Sequence, residues 1–272
     1  MSVRFFKMTG SGNDFVMLDG RDQRLEDWPA ERIAAVCARQ TGVGADGLVI
    51  LTPEDEARVG MRYFNADGSF AAMCGNAALC STRLAGRLGL APASGMTLLT
   101  PAGKVSSRCV GSGNDAEINL PAVAPLRRID GICREGEHQA WLGVVGVPHL
   151  IVLVDDVERL DIPGRGRQLR FDPALGPEGA NANFISPPTA PGKPWLIRTY
   201  ERGVEGETLA CGTGTVAAAL LLVQVGRAQL PLVFASRSGS LLSVRATPTT
   251  AGGFDDVWLQ GEGRLVFEGN LT

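Results

Sequence analysis

Histidine and lysine are nearly missing from this chain of 272 residues, which has two of the former and three of the latter (Lys7, Lys104, Lys193). Two histidines with no ligand cluster around them give no support to a metal centre. None of the three lysines has a setting that suggests an anchor for pyridoxal phosphate, so no cofactor is expected. The six cysteines (Cys37, Cys74, Cys80, Cys109, Cys133, Cys211) are scattered and lack zinc-type Cys-x-x-Cys spacing. No apolar run approaches the roughly 20 residues of a membrane span. A net charge of −3 leaves no electrostatic footprint for nucleic acid. The opening residues 2–7 are too short and too polar for a signal peptide, so the cysteines are expected as thiols in a reducing cytoplasm.

What is present is ordinary globular composition, 44% hydrophobic and 20% charged, with 35 glycines that imply many turns and close backbone approaches. The length suits one large or two modest domains. The most informative stretch is 198–226. A polar run with Arg198, Glu201, Arg202, Glu205 and Glu207 leads to Cys211 among small residues, and an apolar run of helix length then ends at Gly226. The run is apolar nearly all round, which predicts a helix buried on every side. Its first turn holds Gly212, Thr213, Gly214 and Thr215. Small residues there leave backbone N–H groups open to an anion, and the helix dipole favours negative charge. A cysteine in such a place forms a thiolate more readily than usual.

The arrangement occurs twice. Residues 61–85 repeat it, with a strand-like piece, a polar turn, Cys74-Gly75-Asn76 and an apolar helix. Tyr63 precedes Cys74 by 11 residues, as Tyr200 precedes Cys211 (74−63 and 211−200). Asp46 and Asn183 each lie 28 residues before their cysteine (74−46 and 211−183), and each is read as part of a Gly/Ala-rich turn before an apolar strand. Asn13 and His149 fall at nearly matching places upstream. Two related halves follow, each placing a cysteine at a helix N-terminus; the bland alternative is two buried, inert thiols.

The remaining pattern predicts strands at 3–8, 15–18, 48–51, 61–64, 97–100, 104–110 and 116–120, and a helix at 29–39. The Pro/Ala stretch 121–125 is the expected domain junction. Strands follow at 141–145, 150–154, 232–234, 241–245, 256–260 and 263–267, with polar connections at 163–170 and 187–194. The expected domains are 1–120, completed by 263–272, and 121–262, with the site in a cleft between them. The Gly10-Ser11-Gly12 turn lacks the Gly-Lys-Ser/Thr of a phosphate loop. Asn13 beside it is either a turn residue or a ligand contact, and His149 is placed in the turn 146–149.

Two cysteines in equivalent places suit a symmetric reaction. With a carboxylate-bearing carbon between them, one thiolate removes its hydrogen while the opposite thiol supplies another from the far face, inverting the centre. Two opposed helix N-termini would stabilise the charge that builds on the carboxylate. Each thiol needs a partner to ionise, and Glu201 and His149 are the candidates. Glu201 has the plainer alternative of pairing with Arg198 or Arg202.

Asn65-Ala-Asp-Gly-Ser69, Cys74-Gly-Asn76, Pro148-His149, Asn183-Phe184, Glu201-Arg-Gly203 and Cys211-Gly-Thr-Gly214 together resemble diaminopimelate epimerase, from the first strand to near the end of the chain. The resemblance implies interconversion of LL- and meso-diaminopimelate without cofactor, for lysine and peptidoglycan synthesis. It implies Cys74 and Cys211 as the acid/base pair, assisted by His149 and Glu201. Asn13, Asn65, Asn183, Glu201 and Arg202 become substrate contacts. The backbone amides of Gly75 and Asn76, and of Gly212 and Thr213, would hold the reacting carboxylate. The implied fold is α/β of the α+β type, with two pseudo-symmetric halves. Each half is a curved, mostly antiparallel sheet around a central buried helix, and the protein is a homodimer. Val147 stands where many members have Asn, Gly47 where some have Gln, and Ala77 where Gly is common. The alternatives are a racemase for another amino acid, a phenazine-biosynthesis-like isomerase, which the cysteine pair argues against, and a non-catalytic amino-acid-binding or thiol redox-sensing module.

Overall fold

The computed structural model describes residues 2–272, and the chain divides into two compact units. One unit runs to Asn119 and takes in Gln260–Thr272; the other is Leu120–Leu259.

The first unit is built from β1 (Val3–Gly10), β2 (Asn13–Asp19), α1 (Ala30–Cys37), β3 (Gly47–Pro53), β4 (Arg58–Asn65), β5 (Phe70–Ala71), α2 (Gly75–Leu88), β6 (Met96–Thr100), β7 (Gly103–Cys109) and β8 (Asp115–Leu120). β1 pairs antiparallel with β2, and β2 parallel with β3. β4 is antiparallel to β3 and parallel to β6, and β7 and β8 follow antiparallel. Each parallel pair needs a crossover. α1 lies between β2 and β3, and α2 between β4 and β6. The apolar run of β3 is therefore buried on both faces. Leu48 and Ile50 join α1's Ile33 and Cys37 in one cluster, while the alternate Val49 and Leu51 are equally buried. α2 packs against β1, β2, β3, β4, β6 and β7, so the sheet wraps round it.

The second unit repeats the plan with β9 (Arg127–Ile129), β10 (Glu137–Val145), β11 (Val147–Val154), α3 (Ile162–Arg170), β12 (Asn181–Ser186), β13 (Trp195–Glu201), β14 (Gly206–Thr208), α4 (Gly212–Gln224), β15 (Leu232–Ala235) and β16 (Leu241–Pro248). β10 and β11 are antiparallel, β11 and β12 parallel, β12 and β13 antiparallel, β13 and β15 parallel, β15 and β16 antiparallel. α3 and α4 are the crossovers, and α4 packs on β10, β11, β12 and β16. α4 is apolar on every side, with Val216 to Leu222 all buried. β17 (Phe254–Glu262) carries the chain back, and the final β18 (Arg264–Leu271) pairs antiparallel with β1.

Three expectations need correction, and the run 198–201 gains a definite element. Residues 163–170 are not a polar connection but most of α3. Asp161 accepts from the Gly164 N–H as N-cap, and Ile162, Gly166 and Leu169 form its buried stripe. The polar run 198–201 is the end of strand β13, where Arg198 is held by Glu207. His149 lies inside β11 rather than in a turn, fully buried. Asn183 is the third residue of β12, while Asp46 precedes β3, so their equal spacing from the cysteines does not make them structural equivalents.

Candidate active site

The predicted residues divide between the units, five in the first and seven in the second. In the first, Cys74 is the N-cap of α2, half-exposed and in extended backbone (φ −137°, ψ 125°). Its carbonyl accepts from the Ala78 N–H at 2.9 Å, and its sulfur makes no capping bond to the helix. The first turn of a helix has no intrahelical acceptors for its N–H groups, so the turn opening at Gly75 suits an anion. Gly10 makes this geometry possible. A Cβ there would meet the Asn76 carbonyl at 2.7 Å, so only glycine lets the end of β1 press against that turn.

Asn13 opens β2. Its Oδ1 accepts from Asn76 Nδ2 at 2.6 Å, and its Nδ2 donates to Asp46 Oδ2 at 3.0 Å. Behind it, Arg39 Nη2 bridges Asp14 (2.8 Å) and Asp46 (2.6 Å), and Lys7 Nζ donates to Asp14 at 2.6 Å and to the Gly44 carbonyl. Burial works to raise the Asp14 carboxyl, but hydrogen bonds from Arg39 and Lys7 outweigh it and hold it at about 2. The structure thus brings Asn13 and Asn76 together on a charged scaffold. Asn65 stands at the exposed end of β4, where its Nδ2 donates to Ser69 Oγ at 2.9 Å within its own turn.

In the second unit Cys211 is the N-cap of α4, 8% exposed, with φ −126° and ψ 105°. Its carbonyl accepts from the Thr215 N–H (3.0 Å) and hydroxyl (2.9 Å). The Thr213 hydroxyl reaches two groups, lying 3.8 Å from Cys211 Sγ and 3.0 Å from His149 Nε2. On its other side, His149 Nδ1 is 3.3 Å from Asn183 Nδ2 and 3.5 Å from Asn181 Nδ2. Asn183 is fixed in turn by the carbonyls of Leu150 and Asn181 and by the Thr199 hydroxyl, which donates to its Oδ1 at 2.9 Å. Burial pushes His149 down to about 3; the Arg202 charge adds to the shift, and a backbone hydrogen bond at Val145 opposes it. The ring is therefore neutral at pH 7, a polar partner rather than a cation.

Arg202 is three-quarters buried in its side chain; its backbone N–H donates to Asn181 Oδ1 at 2.7 Å, and its guanidinium meets the exposed Glu178 at 3.0 Å. An ion pair with so exposed a carboxylate contributes about 0–1 kcal/mol and yields easily to a ligand. Glu201 ends β13, half-buried. The carboxylate on Arg198 is Glu207, at 2.6 and 2.8 Å. Val147 opens β11, half-buried, across the Gly146 turn from Val145.

Burial pushes the Cys37 thiol up to about 11, raises Cys80 well above the ordinary range, and raises the exposed Cys133 to a lesser degree. Among the described residues no His/Cys/Asp/Glu cluster could hold a metal, and no helix is long and apolar enough to cross a membrane. Sequence reasoning missed the Thr213 side chain, Asn181 and Arg39. Asn181 could have been found, since it lies two residues before Asn183 on the same face of a strand. Arg39 carries no sequence signal.

Among proteins compared, the family model for diaminopimelate epimerase matches residues 5–120 and 143–247. A diaminopimelate epimerase from Gemmatimonas aurantiaca is 44% identical over 99% of both chains, and one from Aquifex aeolicus is 36% identical over 99% of this chain and 98% of its own. Among solved structures, a phenazine biosynthesis protein of the PhzF family from Bacillus anthracis superposes with TM-score 0.76 at 15% identity, covering 100% of this chain and 99% of its own. A hydroxyproline epimerase from Agrobacterium vitis superposes with TM-score 0.63 at 16% identity, covering 99% of this chain and 92% of its own. These likenesses show a two-halved fold of mixed helix and sheet, and the sequence matches show more: the chain belongs to the diaminopimelate epimerase family, a family of isomerases.

Proposed function

We propose that this chain interconverts LL- and meso-diaminopimelate by proton transfer between Cys74 and Cys211. The observation that carries the reading is the repetition: each unit ends its strand-turn sequence in a cysteine that is the N-cap of the unit's central helix. In the proposed cleft between the units, one thiolate takes the α-hydrogen. The electron pair left on carbon is delocalised into the carboxylate, and the opposite thiol returns a proton to the other face. The helix N-termini at Gly75–Asn76 and Gly212–Thr213 favour the charge that develops on that carboxylate. His149, neutral and joined to Cys211 through the Thr213 hydroxyl, supports the second thiol by hydrogen bonding. Glu201 is the proposed partner for proton exchange. Arg202, with Asn13, Asn65 and Asn183, binds or orients the rest of the substrate, Arg202 as a bidentate carboxylate clamp once Glu178 is displaced. The activity serves lysine and peptidoglycan precursor synthesis in the cytoplasm, in a homodimer.

Substrate identity is tested by following the α-centre of LL-diaminopimelate beside proline, histidine and other amino acids. Turnover of diaminopimelate alone supports the reading. Turnover of a different amino acid in its place would assign the chain to a racemase, with Val147 as the residue to change to Asn.

A further inference from the structure

We propose that the first unit carries a second ligand site, for a small oxyanion, at the end of α2 remote from Cys74. A cavity of about 380 Å³ opens there, with Met8 and Leu84 as apolar wall and Arg83, Arg87, Cys109 and Asn114 as polar wall. Its volume is at the small end of the range for metabolite pockets. No carboxylate lines it among the described residues.

Arg83 is the core of the site. It is half-buried, and its stem is pressed on Gly263, where a Cβ would stand 3.0 Å from Arg83 Cγ. Among the described residues its guanidinium has neither a hydrogen bond nor an ion pair. The buried guanidiniums of Arg165 and Arg198 are each gripped at two nitrogens by a carboxylate, from Glu137 and Glu207. Arg87, four residues on and so on the same helix face, has one long contact of 4.0 Å to Glu268, a carboxylate already held by Arg4 at 2.5 Å. Like charges at this spacing repel each other, and an oxyanion between the two forks removes the repulsion while filling both. The dipole at a helix C-terminus accounts for Arg87 in the last turn, but Arg83 stands one turn earlier.

Arg83 lies nine residues from Cys74 (83−74), roughly 13 Å along the helix axis at about 1.5 Å per residue. An occupant would not compete for the N-terminal turn, and the site does not depend on the epimerase reading. The ligand class is a small metabolite bearing a phosphate or carboxylate and a short apolar part.

The test uses the full chain, titrated calorimetrically with inorganic phosphate and, separately, with succinate. Alkylation of Cys109 is read by peptide mass spectrometry in parallel. The expected result is saturable binding of one probe, protection of Cys109, and a loss of affinity of about tenfold or more in Arg83→Gln. Binding of phosphate alone assigns phosphate esters, and binding of succinate alone assigns carboxylates. Where Arg83→Gln fails to fold by circular dichroism, Arg87→Gln, at an exposed position, takes its place. No saturable binding of either probe up to about 10 mM, or binding that the arginine variants leave unchanged, would overturn the site.

Discussion

In the second unit His149 and the Thr213 hydroxyl lie 3.0 Å apart beside Cys211. Burial makes the imidazole refuse a proton until about pH 3, whereas an unfolded chain takes one up near 6.5. Between those values the unfolded state binds more protons. The stabilising contribution is thus complete above 6.5 and is lost as pH falls toward 3, with a slope of up to about 1.4 kcal/mol per pH unit. Urea titrations from pH 7 to 4 should show this slope in the wild type and a flatter one in His149→Asn. Equal slopes would mean that the ring is not sealed from water. Asp14, held at about 2, contributes stability above 3.8 that is lost only below that, so the two effects separate above pH 4. The Thr213 hydroxyl is placed on both His149 Nε2 and the Cys211 sulfur. Thr213→Val should lower kcat about tenfold or more and Thr213→Ser should restore most of it, because what is lost is a hydrogen bond to a developing charge. A Thr213→Val enzyme with unchanged kcat would remove the hydroxyl from the mechanism. His149, Asn13, Cys74 and Cys211 were legible as candidates from their neighbours. The hydroxyl was not, since backbone anion binding alone explains a threonine in that turn.

At the scale of elements, the helices that place the two sulfurs are held by tight packing. Gly214 is in the first turn of α4, where alanine would normally gain about 1 kcal/mol of helix propensity. A Cβ there would stand 2.1 Å from Asn183 Oδ1 and 3.3 Å from Cys211 Sγ, and Asn183 is pinned by three neighbours. The clash should win. Gly214→Ala is expected to destabilise by about 1–3 kcal/mol in denaturant titration and to lose activity with it; a variant that gains stability would show that Asn183 yields. Leu220→Ala, in the fully buried middle of α4, should cost about 2–5 kcal/mol without touching the site. α2 and α4 were readable because long apolar runs stop at glycines. α3 was not. Its glycines look like loop, yet Gly166 is there because a Cβ would come within 2.3 Å of Tyr200 Cβ, a tertiary requirement that no local pattern carries. The burial of Arg198 was hidden for a similar reason: the residue is polar, but Glu207 makes it a buried strand residue.

For the whole molecule, the repeat is the organising fact. The strand directions, the two crossover helices and the capping cysteine recur in order in both units. The doubling was legible in the spacing of Tyr63 and Tyr200 from their cysteines, while the return of β18 to β1 could only be guessed, because pairing between chain ends leaves no local trace. If the two sulfurs address one carbon, mild oxidation should join Cys74 to Cys211 and abolish activity reversibly. Mass spectrometry of the oxidised protein checks this, and unchanged activity without that link would count against it.

The most direct test of the central claim is the first turnover in deuterated water. Fully reduced protein is given protiated LL-diaminopimelate, and the α-hydrogen of product and remaining substrate is read by NMR, beside Cys74→Ala and Cys211→Ala. Two thiols acting on opposite faces predict deuterium in the newly formed meso product, protium retained in substrate not yet turned over, and no epimerisation in either variant. Product that keeps the substrate's own hydrogen, or a cysteine variant that still epimerises at the wild-type rate, would contradict the account.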